Sequence, residues 1–146
     1  MELIFLDQVQ EQKNLFNQLL LKVVSVDVKI IIMATIVAQK ILQSGLVPAY
    51  SPASVGGDKL LNTGIQYFYV KNDSEDAITA SVVPVVTVFI DPVLGKLIKL
   101  TAILELEAGE SGFVGPFETG AFNDTQGFIT ITCSATTSVS IAALYI

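Results

Sequence analysis

Glu107-Ala-Gly-Glu-Ser-Gly-Phe-Val-Gly-Pro-Phe-Glu-Thr-Gly-Ala-Phe-Asn-Asp-Thr-Gln-Gly127 crowds Gly109, Gly112, Gly115, Pro116, Gly120, Asn123, Asp124 and Gly127 into one segment. Glycine supplies positive φ and Asn and Asp tolerate it, so these residues permit sharp backbone reversals. Phe113, Val114, Phe117 and Phe122 are spaced among them as anchors for a compact loop. The runs on either side, Lys96–Leu106 and Phe128–Cys133, read as strands. A turn-rich, anchored loop between two strands predicts the corner of a β-sandwich. No residue in it carries an evident reaction chemistry.

Outward from that corner the β signal continues. From Lys96 to Glu107, Leu97, Lys99, Thr101, Ile103 and Glu105 alternate with Ile98, Leu100, Ala102, Leu104 and Leu106, and the second set is expected to face the core. Asp91–Gly95 reads as a turn. Ala77–Ile90 is a long β-rich run, and Pro84 inside it marks an edge, a bulge or a break, because proline cannot donate to a ladder. Asn72–Asp76 is an acidic turn. Its oxygens could hold Ca²⁺, but the spacing matches no calcium loop, and a solvated hairpin tip is the simpler expectation. Gly64–Lys71 is aromatic and β-prone. Gln43–Thr63 reads as loop, and Gly56-Gly57 within it as a turn, since no P-loop context follows. Val139–Ile146 is expected to be a buried closing strand. Several short strands, Gly/Pro/Asn turns and no βαβ rhythm predict an all-β fold: an antiparallel β-sandwich or small barrel of jelly-roll or immunoglobulin-like type.

Upstream, Asp7–Val24 reads as an amphipathic helix with Asp7 as a cap and Val9, Phe16, Leu19, Leu20, Val23 and Val24 on one face. Val24–Ile30 alternates as a strand, with Val24, Val26 and Val28 on one side. The expected organisation is a helix–strand arm over residues 1–32 and a sandwich domain over 33–146. Met33 also reads as a start in its own right. The candidate contacts with other subunits are Val9, Phe16, Leu19, Leu20, Val24, Val26 and Val28 in the arm, and Phe113, Phe117 and Phe122 in the corner loop.

Composition narrows the function classes. Apolar residues make up 51% of the 146 and charged ones only 15%, against roughly 25% charged in ordinary domains. A chain this short has little interior in which to hide so much apolar surface, which points to burial against neighbours. The run Val82–Ile90 falls short of the roughly 20 residues of a membrane span, and the N-terminus lacks a basic region of secretory type. Histidine and arginine are absent and the net charge is −6, which argues against a nucleic-acid partner. With no histidine and one cysteine, a transition-metal site is not expected. Cys133 lies in a strand and reads as a small hydrophobe. Glu105, Glu107, Glu110 and Glu118 are near one another in sequence, but their spacing does not form the convergent pair that glycosidic cleavage requires. No enzymatic activity, cofactor or metal is expected.

Gly56-Gly57-Asp58, Asn62-Thr63-Gly64, Val70-Lys71-Asn72, Ala108-Gly109-Glu110, Val114-Gly115-Pro116-Phe117, Phe122-Asn123-Asp124, Gly127 and Val139-Ser-Ile-Ala-Ala-Leu144 occur in that order across Met33–Ile146. In order and spacing this pattern resembles the small β-sandwich head decoration, or cement, proteins of tailed bacteriophages, including cyanophages. The resemblance implies a virion structural protein on the outer capsid surface. Its partners would be the major capsid protein and itself, as a homotrimer bridging capsomers. The competing reading is a tail-associated or glycan-binding sandwich module, with Tyr67 and Tyr69 as a sugar platform and Phe68 turned to the core.

Overall fold

The computed structural model describes residues 11–15 and 33–146. The chain divides into two units, Met1–Ile31 and Ile32–Ile146. In the first, residues 11–15 (α1) are helical and exposed, within the segment whose periodicity predicts a helix. The rest of that expected helix and the expected strand Val24–Ile30 lie outside the described residues.

The second unit is an all-β sandwich. In chain order its strands are β1 (Ala34–Ile36), β2 (Gln39–Lys40), β3 (Ser51–Pro52), β4 (Asp58–Leu61), β5 (Tyr67–Asn72), β6 (Ile78–Val82), β7 (Val88–Asp91), β8 (Gly95–Ile98), β9 (Ala102–Leu106), β10 (Ser111–Val114), β11 (Phe128–Cys133) and β12 (Val139–Tyr145). A single helical turn, α2 (Thr119–Phe122), precedes β11. One sheet runs β1-β4-β11-β6-β9. The other runs β10-β5-β12-β2, with β3 also on β12. The β7–β8 hairpin pairs with neither. Pairing is antiparallel except where β1 joins β4 and β2 joins β12.

Period-two patterning places the core. In β5 the aromatic and β-branched residues favour the pleated chain, and Phe68, Val70 and Asn72 turn inward while Tyr67, Tyr69 and Lys71 turn outward. Ile78, Ala80 and Val82 of β6 and Ile129 and Ile131 of β11 come from the opposite sheet to meet Phe68, Val70, Val139, Ile141 and Ala143. Phe68 is fully buried, as expected. Burying a side chain of this size contributes about 1.5–3 kcal/mol. The closing strand β12 is buried from Val139 through Leu144 apart from Ser140. It runs between β5 on one side and β2 and β3 on the other.

Several elements depart from the sequence reading. Ser51–Pro52 and Asp58–Leu61 are strands inside the stretch read as loop. Their short apolar content gives little period-two signal, and the ladders with β12 and β11 supply what local propensity lacks. The long run Lys96–Glu107 is two strands, not one. It breaks at 99–101, so the inward set holds for Ala102, Leu104 and Leu106, while Ile98 and Leu100 are exposed. Of the edge, bulge or break that Pro84 allowed, the structure has the break, which separates β6 from β7. The segment after Asn72 is not a hairpin tip. It carries the chain from β5 in one sheet to β6 in the other.

The corner loop is partly ordered structure: β10 and α2 lie within it. Its opening turn, 107–110, is a true corner, where the chain crosses from β9 in one sheet to β10 in the other. Asn72, with no exposed surface, joins the two crossings. Its Nδ2 donates to the carbonyls of Asp76 (2.8 Å) and Glu107 (3.0 Å), and its Oδ1 accepts from the N–H and hydroxyl of Ser74. Its backbone N–H donates to Glu110 (2.9 Å). At the other end Asn62 does similar work, donating to the Phe117 carbonyl (3.0 Å) and to Asn123 Oδ1 (2.7 Å). Two glycines make close approaches possible. A Cβ on Gly57 (φ 94°) would lie 2.8 Å from Thr130 Cγ2, and one on Gly115 (φ 126°) would lie 3.0 Å from the Tyr67 backbone.

Two outcomes follow for stability. Asn72→Ala removes the partner of the half-buried Asp76 and Glu107 carbonyls and of Ser74 and leaves a gap in a fully buried site, and a loss of about 1–3 kcal/mol is expected by denaturant unfolding. Asp124 closes the 124–128 turn by accepting from the N–H groups of Phe128 (2.9 Å) and Gln126 (2.8 Å). These bonds, that to Phe128 foremost, hold its carboxyl below the ordinary aspartate range. A depressed folded-state pKa gives stability that is present above the unfolded value and lost as pH falls through the folded one. Thermal unfolding between pH 5 and 2 should therefore show a shallower acid loss in Asp124→Asn than in the wild type.

Candidate functional site

Two surfaces of the sandwich unit stand apart from the core. The first is the β7–β8 hairpin. Both parities of the run feeding it are apolar, a pattern that ordinarily belongs to a strand covered on both faces. Only one face is covered: Phe89 packs against the core cluster. Val85, Val88, Ile90, Val93, Leu94 and Ile98 are exposed, Ile90 by 88% and Val93 by 90%. A lone two-stranded hairpin is marginal in water, so its attachments matter. Val85 and Val86 donate N–H groups to the Ala121 carbonyl (2.8 and 2.9 Å), which fixes the hairpin's root to α2. Lys99 Nζ lies 2.7 Å from the Glu118 carboxylate. Asp91 accepts from the N–H groups of Leu94 and Val93 and so shapes the tip, and these bonds, that from Leu94 foremost, hold its carboxyl below the usual range. Beside the hairpin lies an open cavity of about 470 Å³, walled by Phe89, Ile90, Pro92, Leu97 and Ile98 and by the charged Asp91, Lys99 and Glu118.

The second surface is the outer face of the β5-containing sheet. Register puts Phe113 of β10 beside Tyr69 of β5. Their rings are 4.4 Å apart and tilted by 30°. Tyr67 meets Phe113 edge-on at 5.5 Å, and Tyr50 lies 5.9 Å from Tyr69. Lys71 sits 5.9 Å from the Tyr50 ring centre and 3.4 Å from Asp73. Tyr50 is brought over this face by the segment before β3, which Gln39 secures through paired bonds with the backbone of Ala49 (2.8 and 2.9 Å). The row ends in an open cleft of about 400 Å³ formed by Tyr50, Pro52, Asp73, Thr136, Ser138, Val139 and Ser140. Burial raises the Tyr50 phenol above its ordinary value, with the neighbouring Tyr69 adding to the effect. Ser138 holds φ 58° in the cleft wall, a left-handed conformation uncommon outside glycine.

The expected contact residues divide. Phe117 and Phe122 are core residues of their own domain, 3% and 6% exposed, stacked edge-on at 5.2 Å. Their apolar surface is consumed within the fold, because the loop between β10 and β11 turns back over the sandwich. Phe113 is 59% exposed and belongs to the aromatic row. Val9, Phe16, Leu19, Leu20, Val24, Val26 and Val28 lie outside the described residues. The carboxylates have separate local tasks: Glu105 is exposed on β9, Glu110 accepts from the Glu107 N–H (2.9 Å), and Glu118 faces Lys99. Among the described residues no three His, Cys, Asp or Glu side chains form a metal-binding group. In the acidic turn the Asn72 oxygen is occupied by Ser74. Asp58 is buried, with Oδ2 accepting from the Ser54 N–H (3.0 Å) and Oδ1 without a protein partner. Tyr50 was not signalled by sequence, and nothing there joined Lys71 or the acidic turn of Asp73 to an aromatic row, since residues 50, 69 and 113 meet only through the register of β3, β5, β10 and β12. The hairpin had a signal, the apolar residues crowded on both sides of Pro84 with only Thr87 among them up to Ile90.

No protein-family model, curated protein or solved structure matches this chain. Cys133 packs at the core's margin. Burial, with a smaller contribution from the Asp58 carboxylate, pushes its thiol up to about 11. At pH 8 only about one thiol in a thousand is then ionised, and thiolate is the reactive form. Reaction with a disulfide reagent at pH 8 should be slow in the native protein and become fast in denaturant.

Proposed function

We propose that this chain is a virion structural protein that binds the outer surface of a tailed-phage capsid, as a trimer bridging capsomers. The observation that carries this reading is the exposed apolar hairpin. An apolar surface of this extent at residues 83–103, anchored at its root but open at its tip, suits a docking element. The ordered resemblance to cement proteins over Met33–Ile146 and the 51% apolar composition support the same reading. The mechanism is mass action. A subunit with affinity for the assembled shell and none for the dissociated coat protein stabilises the shell by the free energy of its own binding. Hydrophobic contact at the hairpin would supply affinity without demanding a fixed charge pattern, which fits a chain with so few ionic groups. Residues 1–32, which the sequence pattern reads as a helix–strand arm, would reach a neighbouring subunit.

Native mass in solution and occupancy on expanded capsids test the proposal together. The trimer mass and saturable capsid binding are the expected results. Ile90→Asp combined with Val93→Asp should weaken capsid binding by at least about tenfold. Both sites are exposed, so unfolding stability should change by no more than about 0.5 kcal/mol each. Deleting residues 1–32 should abolish occupancy and leave a folded domain. A monomer that ignores capsids would overturn the reading.

A further inference from the structure

We propose that the outer face of the β5-containing sheet is a carbohydrate-binding site that takes a neutral glycan of several pyranose units. Tyr67, Phe113, Tyr69 and Tyr50 form one continuous row with ring centres 4.4–5.9 Å apart. Aromatic rings of this kind offer apolar faces at small entropic cost and, in tyrosine, a hydroxyl at the tip. A pyranose has the matching character: one face of C–H groups and a rim of hydroxyls. The row leads into the cleft, where Tyr50 and Pro52 form an apolar wall and Asp73, Thr136, Ser138 and Ser140 supply hydrogen-bonding groups opposite. An open volume of about 400 Å³ lies within the size range of small-molecule sites.

Charge selects among saccharides. Lys71 and Asp73, the ionised groups beside Tyr50, lie 3.4 Å apart and offset each other. The cleft therefore presents no net charge to a ligand, and the chain's −6 disfavours approach of acidic glycans. A hydroxyl-rich neutral ligand satisfies both groups: the carboxylate accepts from sugar hydroxyls, and the ammonium donates to them. This site is on a different sheet from the hairpin, so its failure and the failure of capsid docking are separately visible.

The test is titration of the full chain with neutral hexasaccharides of glucose, mannose and N-acetylglucosamine in α and β linkages, followed by NMR and calorimetry. At least one should bind with millimolar or tighter affinity and shift resonances of Tyr50, Tyr69 and Ser138. Tyr50→Ala and Phe113→Ala, both at exposed positions, should each weaken it by at least about tenfold, and Tyr50→Phe should retain most of it. Asp73→Asn should weaken binding without changing the unfolding midpoint. Ile90→Asp in the hairpin should leave it unchanged. Absence of binding across the panel would overturn the proposal. So would binding indifferent to Tyr50→Ala, a preference for acidic glycans, or saturation of this face by a proline-rich peptide alone.

Discussion

The amide of Asn72 ties together two of the crossings between the sheets, β5 to β6 and β9 to β10. A sandwich gains most of its stability from apolar contact between its layers, and that force has no direction. Something must fix where one layer lies relative to the other. Here a fully buried side chain at the end of β5 holds the carbonyl before β6 and the carbonyl after β9, and its own backbone N–H takes a third bond at the same corner. Buried amides are costly unless satisfied. The site therefore tolerates one arrangement of the two crossings and resists the alternatives. Asn62 repeats the device at the opposite end and ties the 115–127 loop down over Phe117 and Phe122.

With its two ends fixed, the sandwich leaves two surfaces unfinished in different ways. The hairpin departs from the layers after Pro84, whose buried ring ends β6. It keeps Phe89 on the core and turns its other apolar residues to solvent. The outer face of the second sheet is instead a product of pairing. β5 contributes Tyr67 and Tyr69 at alternate positions, β10 sets Phe113 against them, and the strap through Gln39 and Ala49 adds Tyr50. One surface is aliphatic and extended; the other is aromatic, rimmed by hydroxyls and charge-balanced. The proposed partners differ accordingly, a protein surface for the first and a saccharide for the second.

A composition this apolar is coherent with such a division. The interior sets small residues such as Ala80 and Ala143 among Phe68, Leu60, Ile129, Ile131 and Ile141, and does not absorb the whole apolar content. The excess is concentrated at residues 83–103. Exposed apolar residues scattered singly need no explanation, but a concentration of them does.

The alternation through β9, the strand character of Gly64–Lys71, Phe128–Cys133 and Val139–Ile146, an irregularity at Pro84 and the turn at Asp91–Gly95 were legible from residues alone, because pleat and turn signals are local and each pleat sorts its own side chains. The β class and the burial of Phe68 followed from it. Tertiary structure decided the rest. It made Asn72 a clamp rather than a hairpin tip, placed Phe117 and Phe122 in the core, drew β3 and β4 out of an apparent loop, and brought Tyr50 to Tyr69 and Phe113. Each of these depends on which strands become neighbours, and pairing partners far apart in sequence leave no mark in the local pattern of either one.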